Sequence, residues 1–140
     1  TYSRPTKDKT AEFFEVCKSL ADYVFLDCTS SLDDPLSVYG MAAADKAVQL
    51  VTPDIRSAAY YASFEKTYEQ VKGKSIGVIN ITDKDLYLPV GEVKAGFANA
   101  KYILPYSMYL RQQYITGELT HKIPDQKFSA VCRGIAEAVL

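Results

Sequence analysis

The sequence predicts an α/β fold: a mostly parallel sheet of about four strands with helices on both faces. Three observations lead there. Short apolar runs recur at 23–26, 47–51, 75–81 and 102–104, each bounded by polar residues or proline. A stretch with helical character follows each run, and strands alternating with helices build βαβ units whose strands lie parallel. Right-handed crossovers then carry the helices to both faces. The 140 residues, 48% apolar and 24% charged, suit one globular domain.

The elements follow in order. Residues 1–9, polar and containing Pro5, read as a loop or tail, and 10–140 as a single α/β domain. Thr10 is placed to N-cap a helix over AEFFEVCKSLAD, with Phe13, Phe14, Cys17, Leu20 and Ala21 on one stripe. Tyr23-Val24-Phe25-Leu26, closed by Asp27, reads as a strand buried on both faces. A polar loop precedes Pro35, which suits the first position of a helix running to Ala44. Ala47–Val51 is the second strand, ended by Thr52-Pro53. Asp54 caps a long amphipathic helix to about Val71, with Gly73 as its stop. Residues 75–81 form the third strand, 83–89 a charged, aromatic loop, and 91–99 a short helix. The fourth strand, 102–104, ends at Pro105. Ser107 caps a helix over 108–114 that stops near Gly117, and Pro124-Asp125 start a terminal helix over 126–139.

Composition removes several function classes. It is not that of a collagen-like, low-complexity or disordered chain. Sixteen Lys and Arg against 17 Asp and Glu leave a formal charge of −1, with no global footprint for nucleic acid. No apolar run approaches the roughly 18 residues of a membrane helix, and no signal peptide opens the chain. Cys17, Cys28 and Cys132 are widely spaced and only His121 could join them, which speaks against zinc and for reduced thiols in a cytoplasmic protein. His121 itself reads as an exposed loop residue. The first residue is Thr1 rather than Met, which suggests a chain cut from a longer one.

In open parallel sheets, ligands bind beyond the carboxyl ends of the strands. The shortlist is therefore Asp27 and Thr29, Pro53 and Asp54, Asn80 and Thr82, and Pro105 and Tyr106. An aspartate closing an apolar strand needs a cation, a hydrogen-bond donor or water, and Mg²⁺ held through water is one solution. Capping a neighbouring helix or binding loop amides is the plainer alternative for Asp27. Tyr102, Tyr106, Tyr109 and Tyr114 gather near the fourth strand, either as half-buried packing or as a platform for bases.

The order of these segments resembles the ParA/MinD-like, deviant Walker P-loop ATPases. DYVFLDCTSSL (22–32), AAADKAV (42–48), VTPDIRS (51–57), GVIN (77–80) and ILPY (103–106) with Gly117 beyond it follow that family's sequence of motifs over about residues 10–140. The resemblance implies part of a P-loop NTPase fold and a switch protein that dimerises across ATP. It makes Asp27 the catalytic acid that orders Mg²⁺ through water, and places Thr29 to Leu32 in a loop sensing the γ-phosphate. Asn80 then meets the adenine edge, Pro105 and Tyr106 wall the base, and Pro53 and Asp54 lie near the nucleotide and the dimer face. Lys122, Lys127 and Arg133 match where such proteins carry a nonspecific DNA surface, with a solvated helix face as the alternative.

This sequence departs from the family where phosphate is held. No GxxxxGK[ST] occurs in the 140 residues, and Cys28-Thr29-Ser30 stands where the family has a small residue followed by a proline pair or Pro-Ala. Without that loop's amides and lysines nothing cradles the phosphates. The implied identity is the C-terminal portion of a homodimeric ATPase that positions DNA or protein cargo. ATP and Mg²⁺ belong to the longer parent, with none expected on this chain alone, which should not hydrolyse ATP. The competing reading is a non-catalytic α/β interaction module that has lost nucleotide binding. In either case, loss of the P-loop strand would leave sheet edges to be closed by another chain.

Overall fold

The computed structural model describes residues 6–140 except Leu32, Leu86, Tyr87, Ala98 and Leu119. Most of the expected tail, residues 1–5, and Leu32 of the expected γ-phosphate loop therefore lie outside the described residues. The chain divides into two compact units, Thr1–Asp45 and Lys46–Leu140.

The first unit is a pair of packed helices, α1 (Lys7–Leu20) and α2 (Pro35–Ala43). Helix α1 starts one turn earlier than its sequence suggests. Thr6 occupies the N-cap position, so Thr10 is interior and buried, and its hydroxyl donates to the Thr6 carbonyl at 3.0 Å. Of the expected stripe only Phe14 is buried. Helix α2 begins as expected: Pro35 takes the first turn and Asp34 caps it, accepting from the Ser37 amide at 3.0 Å. Gly40 on α2 lets Leu26, Phe14 and Cys28 close in, since a Cβ there would lie 3.0, 3.3 and 3.6 Å from their side chains.

The expected first strand does not form. Residues 21–31 are irregular apart from isolated bends, and Tyr23 and Phe25 are 63% and 81% exposed. A strand exists only through the ladder it shares with a neighbour. Among the described residues this run pairs with none, so the sheet has three strands rather than four.

The second unit holds that sheet: β1 (Ala47–Val51), β2 (Ser75–Asn80) and β3 (Ala100–Leu104), parallel, in the order β1-β2-β3. Val51 pairs with Ile79 and Leu50 with Val78, while Val78 pairs with Tyr102. Because side chains alternate, Gln49, Val51 and Ile79 share one face, and Val48, Leu50, Val78 and Tyr102 share the other. On the first face Val51 and Ile79 form a core with Val93 of α5 (Val90–Gly96) and with Phe97 at that helix's C-cap, joined by Tyr61 of α3 (Ile55–Ser63). On the second face α7 (Gln126–Val139) packs on β3, and the Tyr102 hydroxyl donates to the Gly134 carbonyl at 2.9 Å. Helices therefore lie on both faces.

Two details depart from the expected elements. The long helix breaks at Phe64 into α3 and α4 (Glu65–Glu69), and a 3-10 turn at Lys72–Lys74 follows. The Phe64 amide donates to the Tyr61 carbonyl at 3.1 Å, its ring meets Tyr60 at a tilt with centroids 4.8 Å apart, and Tyr61 lies flat on Tyr68 at 5.3 Å. Gly73 sits in the 3-10 turn without left-handed geometry. Gly117 is the glycine that supplies it, at φ 76°, closing α6 (Met108–Thr116). Gly77, mid-strand, marks a bulge: its amide bonds the Asn99 carbonyl at 2.8 Å, and a Cβ there would sit 2.6 Å from that same carbonyl.

Candidate functional site

The carboxyl ends of β1, β2 and β3 lie along one edge of the sheet, because all three strands run parallel. This brings Pro53 and Asp54, Asn80 and Thr82, and Pro105 and Tyr106 to the same edge. Asp27 and Thr29 belong to the other compact unit.

After β1 the turn is consumed by its own hydrogen bonds. Asp54 caps α3: one carboxylate oxygen accepts from the Ser57 amide at 2.8 Å and the other from the Thr52 hydroxyl. Ser57 answers by accepting from the Thr52 amide at 3.1 Å. The Thr52 hydroxyl, then the Ser57 amide, hold the Asp54 carboxyl below the ordinary aspartate range. Pro53 is buried, and its carbonyl accepts from the Leu88 amide at 2.7 Å. Both residues build the turn.

The ends of β2 and β3 are different. The ladder continues one step past β2, with the Ile81 amide donating to the Leu104 carbonyl at 3.0 Å. Asn80 is half-buried, and its side-chain amide makes no hydrogen bond among the described residues. Pro105 and Tyr106 are half-buried, and Ser107 caps α6 through the Leu110 amide at 3.4 Å. The Tyr106 hydroxyl, and more weakly Asp83, push the exposed Arg111 guanidinium, already a permanent cation, further up. The β2 and β3 ends thus present an amide with two donors and an acceptor, an aromatic ring and a cation.

Arg111 and Asp83 were not on the sequence shortlist. Arg111 lies one helical turn into α6 and Asp83 three residues past β2, beyond the reach of a rule that takes the residues immediately after each strand. A cation one turn behind the Ser107 cap was the available signal.

In the first unit Asp27 is exposed in the irregular segment. The Thr29 amide donates to Ser37 Oγ at 2.9 Å, and that hydroxyl donates to Asp34, so the loop after Asp27 is pinned to the start of α2. The Cys28 thiol beside it is pushed up, chiefly by burial and also by Asp27 and Asp34. Asp27 brings one carboxylate, and among the described residues no three carboxylates, histidines or cysteines gather to hold a cation. No described helix is long and apolar enough to cross a membrane. The tyrosine cluster divides: Tyr102 and Tyr106 are half-buried, whereas Tyr109 and Tyr114 face solvent.

No family model, curated protein or solved structure matches this chain.

Proposed function

We propose that the chain is the C-terminal portion of a ParA/MinD-like ATPase, a nucleotide-dependent dimerisation switch, and that this portion supplies the adenine end of the site. The observation that carries the reading is the Asn80 side-chain amide, without a hydrogen bond among the described residues, at the same carboxyl edge of a parallel sheet as Tyr106. A purine presents donors and acceptors on its edge and a flat face. Asn80 matches the edge, and Pro105 with Tyr106 matches the face. Arg111 adds a cation that attracts the nucleotide as a whole.

The phosphate end does not fit this chain alone. Asp27 offers a single carboxylate for Mg²⁺, which takes one or two carboxylates together with phosphates and water. A glycine-rich loop in the longer parent completes that site in this reading, where ATP would drive dimerisation and its slow hydrolysis would reset the switch. The full engagement of Asp54 within its own turn favours the second reading, an interaction module without nucleotide chemistry, since it leaves that carboxylate nothing to offer a ligand.

The test is an intact mass of the natively expressed polypeptide, followed by titration of that polypeptide with a fluorescent ATP analogue. The ATPase reading expects a mass about twice the 15.6 kDa of this chain. It also expects Asn80→Ala to weaken nucleotide affinity about tenfold, the loss of one or two hydrogen bonds. A native mass of 15.6 kDa, or a longer chain indifferent to ATP, leaves the interaction module.

A further inference from the structure

Helices α3 and α5 cover the same face of the sheet, and a cavity of about 300 Å³ is lined by both. Its floor is apolar and buried, made by Val51, Val93 and Phe97. Tyr61 forms one wall, its ring set edge-on to Phe97 at 4.6 Å. The space is open because the residues facing it are small. Ala58 and Ala62, a helical turn apart on α3, and Gly96 at the end of α5 line the cavity without filling it. A Cβ on Gly96 would meet nothing within 4 Å. Packed interiors rarely leave a void larger than a water molecule, and this one is of ligand size. All its lining residues lie within 51–97, inside one compact unit.

Charge decides what the cavity takes. Glu92, exposed at the mouth, is the charged residue among those lining it and makes no ion pair among the described residues. Tyr61 also borders a second, small hollow lined by Glu65, Tyr68, Glu69 and Lys72. Burial first, then Glu65 and Glu69, push the Tyr61 hydroxyl up, which places both carboxylates within electrostatic reach of that wall. Across the two spaces that share Tyr61, three carboxylates stand against one lysine.

We propose that this cavity binds a small organic cation, an apolar body of about two fused rings that carries a protonated amine. The body lies on Val51, Val93 and Phe97, and the ammonium stays at the wet mouth beside Glu92. The size follows from volume, since a cavity of about 150 Å³ takes one benzene ring and this one is about twice as large. The sign follows from Glu92: an anionic head meets a like charge there, and a polar body finds no hydrogen-bond partner on the floor. The cavity sits on a face of the sheet, whereas Asn80 and Tyr106 mark the strand ends, so the inference does not rest on the nucleotide reading.

The experiment is calorimetric titration of the 140-residue chain with naphthylethylamine, with naphthylacetate as the matched anion and naphthylethanol as the neutral analogue. Saturable binding of one amine per chain is expected, with naphthylacetate about tenfold weaker or worse. Glu92→Lys, at an exposed position, weakens the amine about tenfold and leaves naphthylethanol unchanged. Two filling variants, Ala58→Leu at the wall and Ala62→Leu at the exposed mouth, lose both the amine and the alcohol while the urea midpoint holds or rises. Absence of saturable binding overturns the proposal, as does equal affinity for the amine and naphthylacetate or undiminished binding in both filling variants. So does an amine affinity that vanishes in the natively expressed polypeptide, which would mean that another segment occupies the cavity.

Discussion

Tyr23-Val24-Phe25-Leu26 and Ile76-Gly77-Val78-Ile79 look alike in sequence, four mostly apolar residues bounded by polar ones, and they end in opposite states. The second is the centre of the sheet, with Val78 and Ile79 fully buried. The first stays irregular, with Phe25 81% exposed. The difference is not hydrophobicity. Residues 76–79 have β1 on one side, β3 on the other and helices over both faces, so every backbone group and most side chains leave water together. Residues 23–26 gain no ladder among the described residues, and without one an apolar run has no reason to straighten. A strand is a property of its neighbours as much as of its own residues.

The comparison breaks most visibly at Ile79. Ile79→Ala empties a site closed by Val51, Val93 and Phe97, and is expected to cost about 3–4 kcal/mol in urea unfolding. Phe25→Ala, at an exposed position, is expected to change stability by about 0.5 kcal/mol or less. Equal losses at the two sites would mean that both runs are core. Gly77→Ala comes next. Its Cβ would meet the backbone of Asn99, which cannot swing aside as a side chain would, so a loss of about 2–3 kcal/mol is expected by the same measurement.

Much of the second unit was legible because its signals are local. Asp54, Ser107 and Asp125 each precede a helix and each accepts the expected amide, so those three starts fall where the side chains say. Pro35 and the terminal helix over 126–139 are equally plain. What was not legible depends on distant partners. Tyr23–Leu26 needed a neighbouring strand. The break at Phe64 accompanies two ring contacts, Phe64 tilted on Tyr60 and Tyr61 stacked on Tyr68, and leaves no capping residue as a clue. Thr10 lost the cap to Thr6 because a threonine can bond back to the preceding turn as readily as it caps. Among the candidate site residues, strand-end position put Asp54 on the same shortlist as Asn80 and Tyr106, although the helix cap that the sequence assigns to Asp54 already commits its carboxylate to α3.

A smaller effect sharpens that last point. Asp54→Ala removes the α3 cap and is expected to cost about 1 kcal/mol. The same carboxylate makes stability depend on pH. Its folded pKa lies below the ordinary value, so its contribution is fully present above pH ~5 and is lost as the pH falls through the folded pKa. Asp54→Asn keeps a capping oxygen without the titration. In acid titration of stability, this variant is expected to lose less than the parent chain below pH ~4. Identical acid profiles would show that the carboxylate is not engaged as described.

Hydrogen exchange on the 140-residue chain, resolved to 23–26 and 76–79, tests the contrast between the two runs most directly. Backbone amides of Ile76 to Ile79 are expected to exchange only through global unfolding, and those of Tyr23 to Leu26 at nearly the rate of an open chain. Protection over Tyr23 to Leu26 comparable to that of β2, or ready exchange at Val78 and Ile79, would contradict the account.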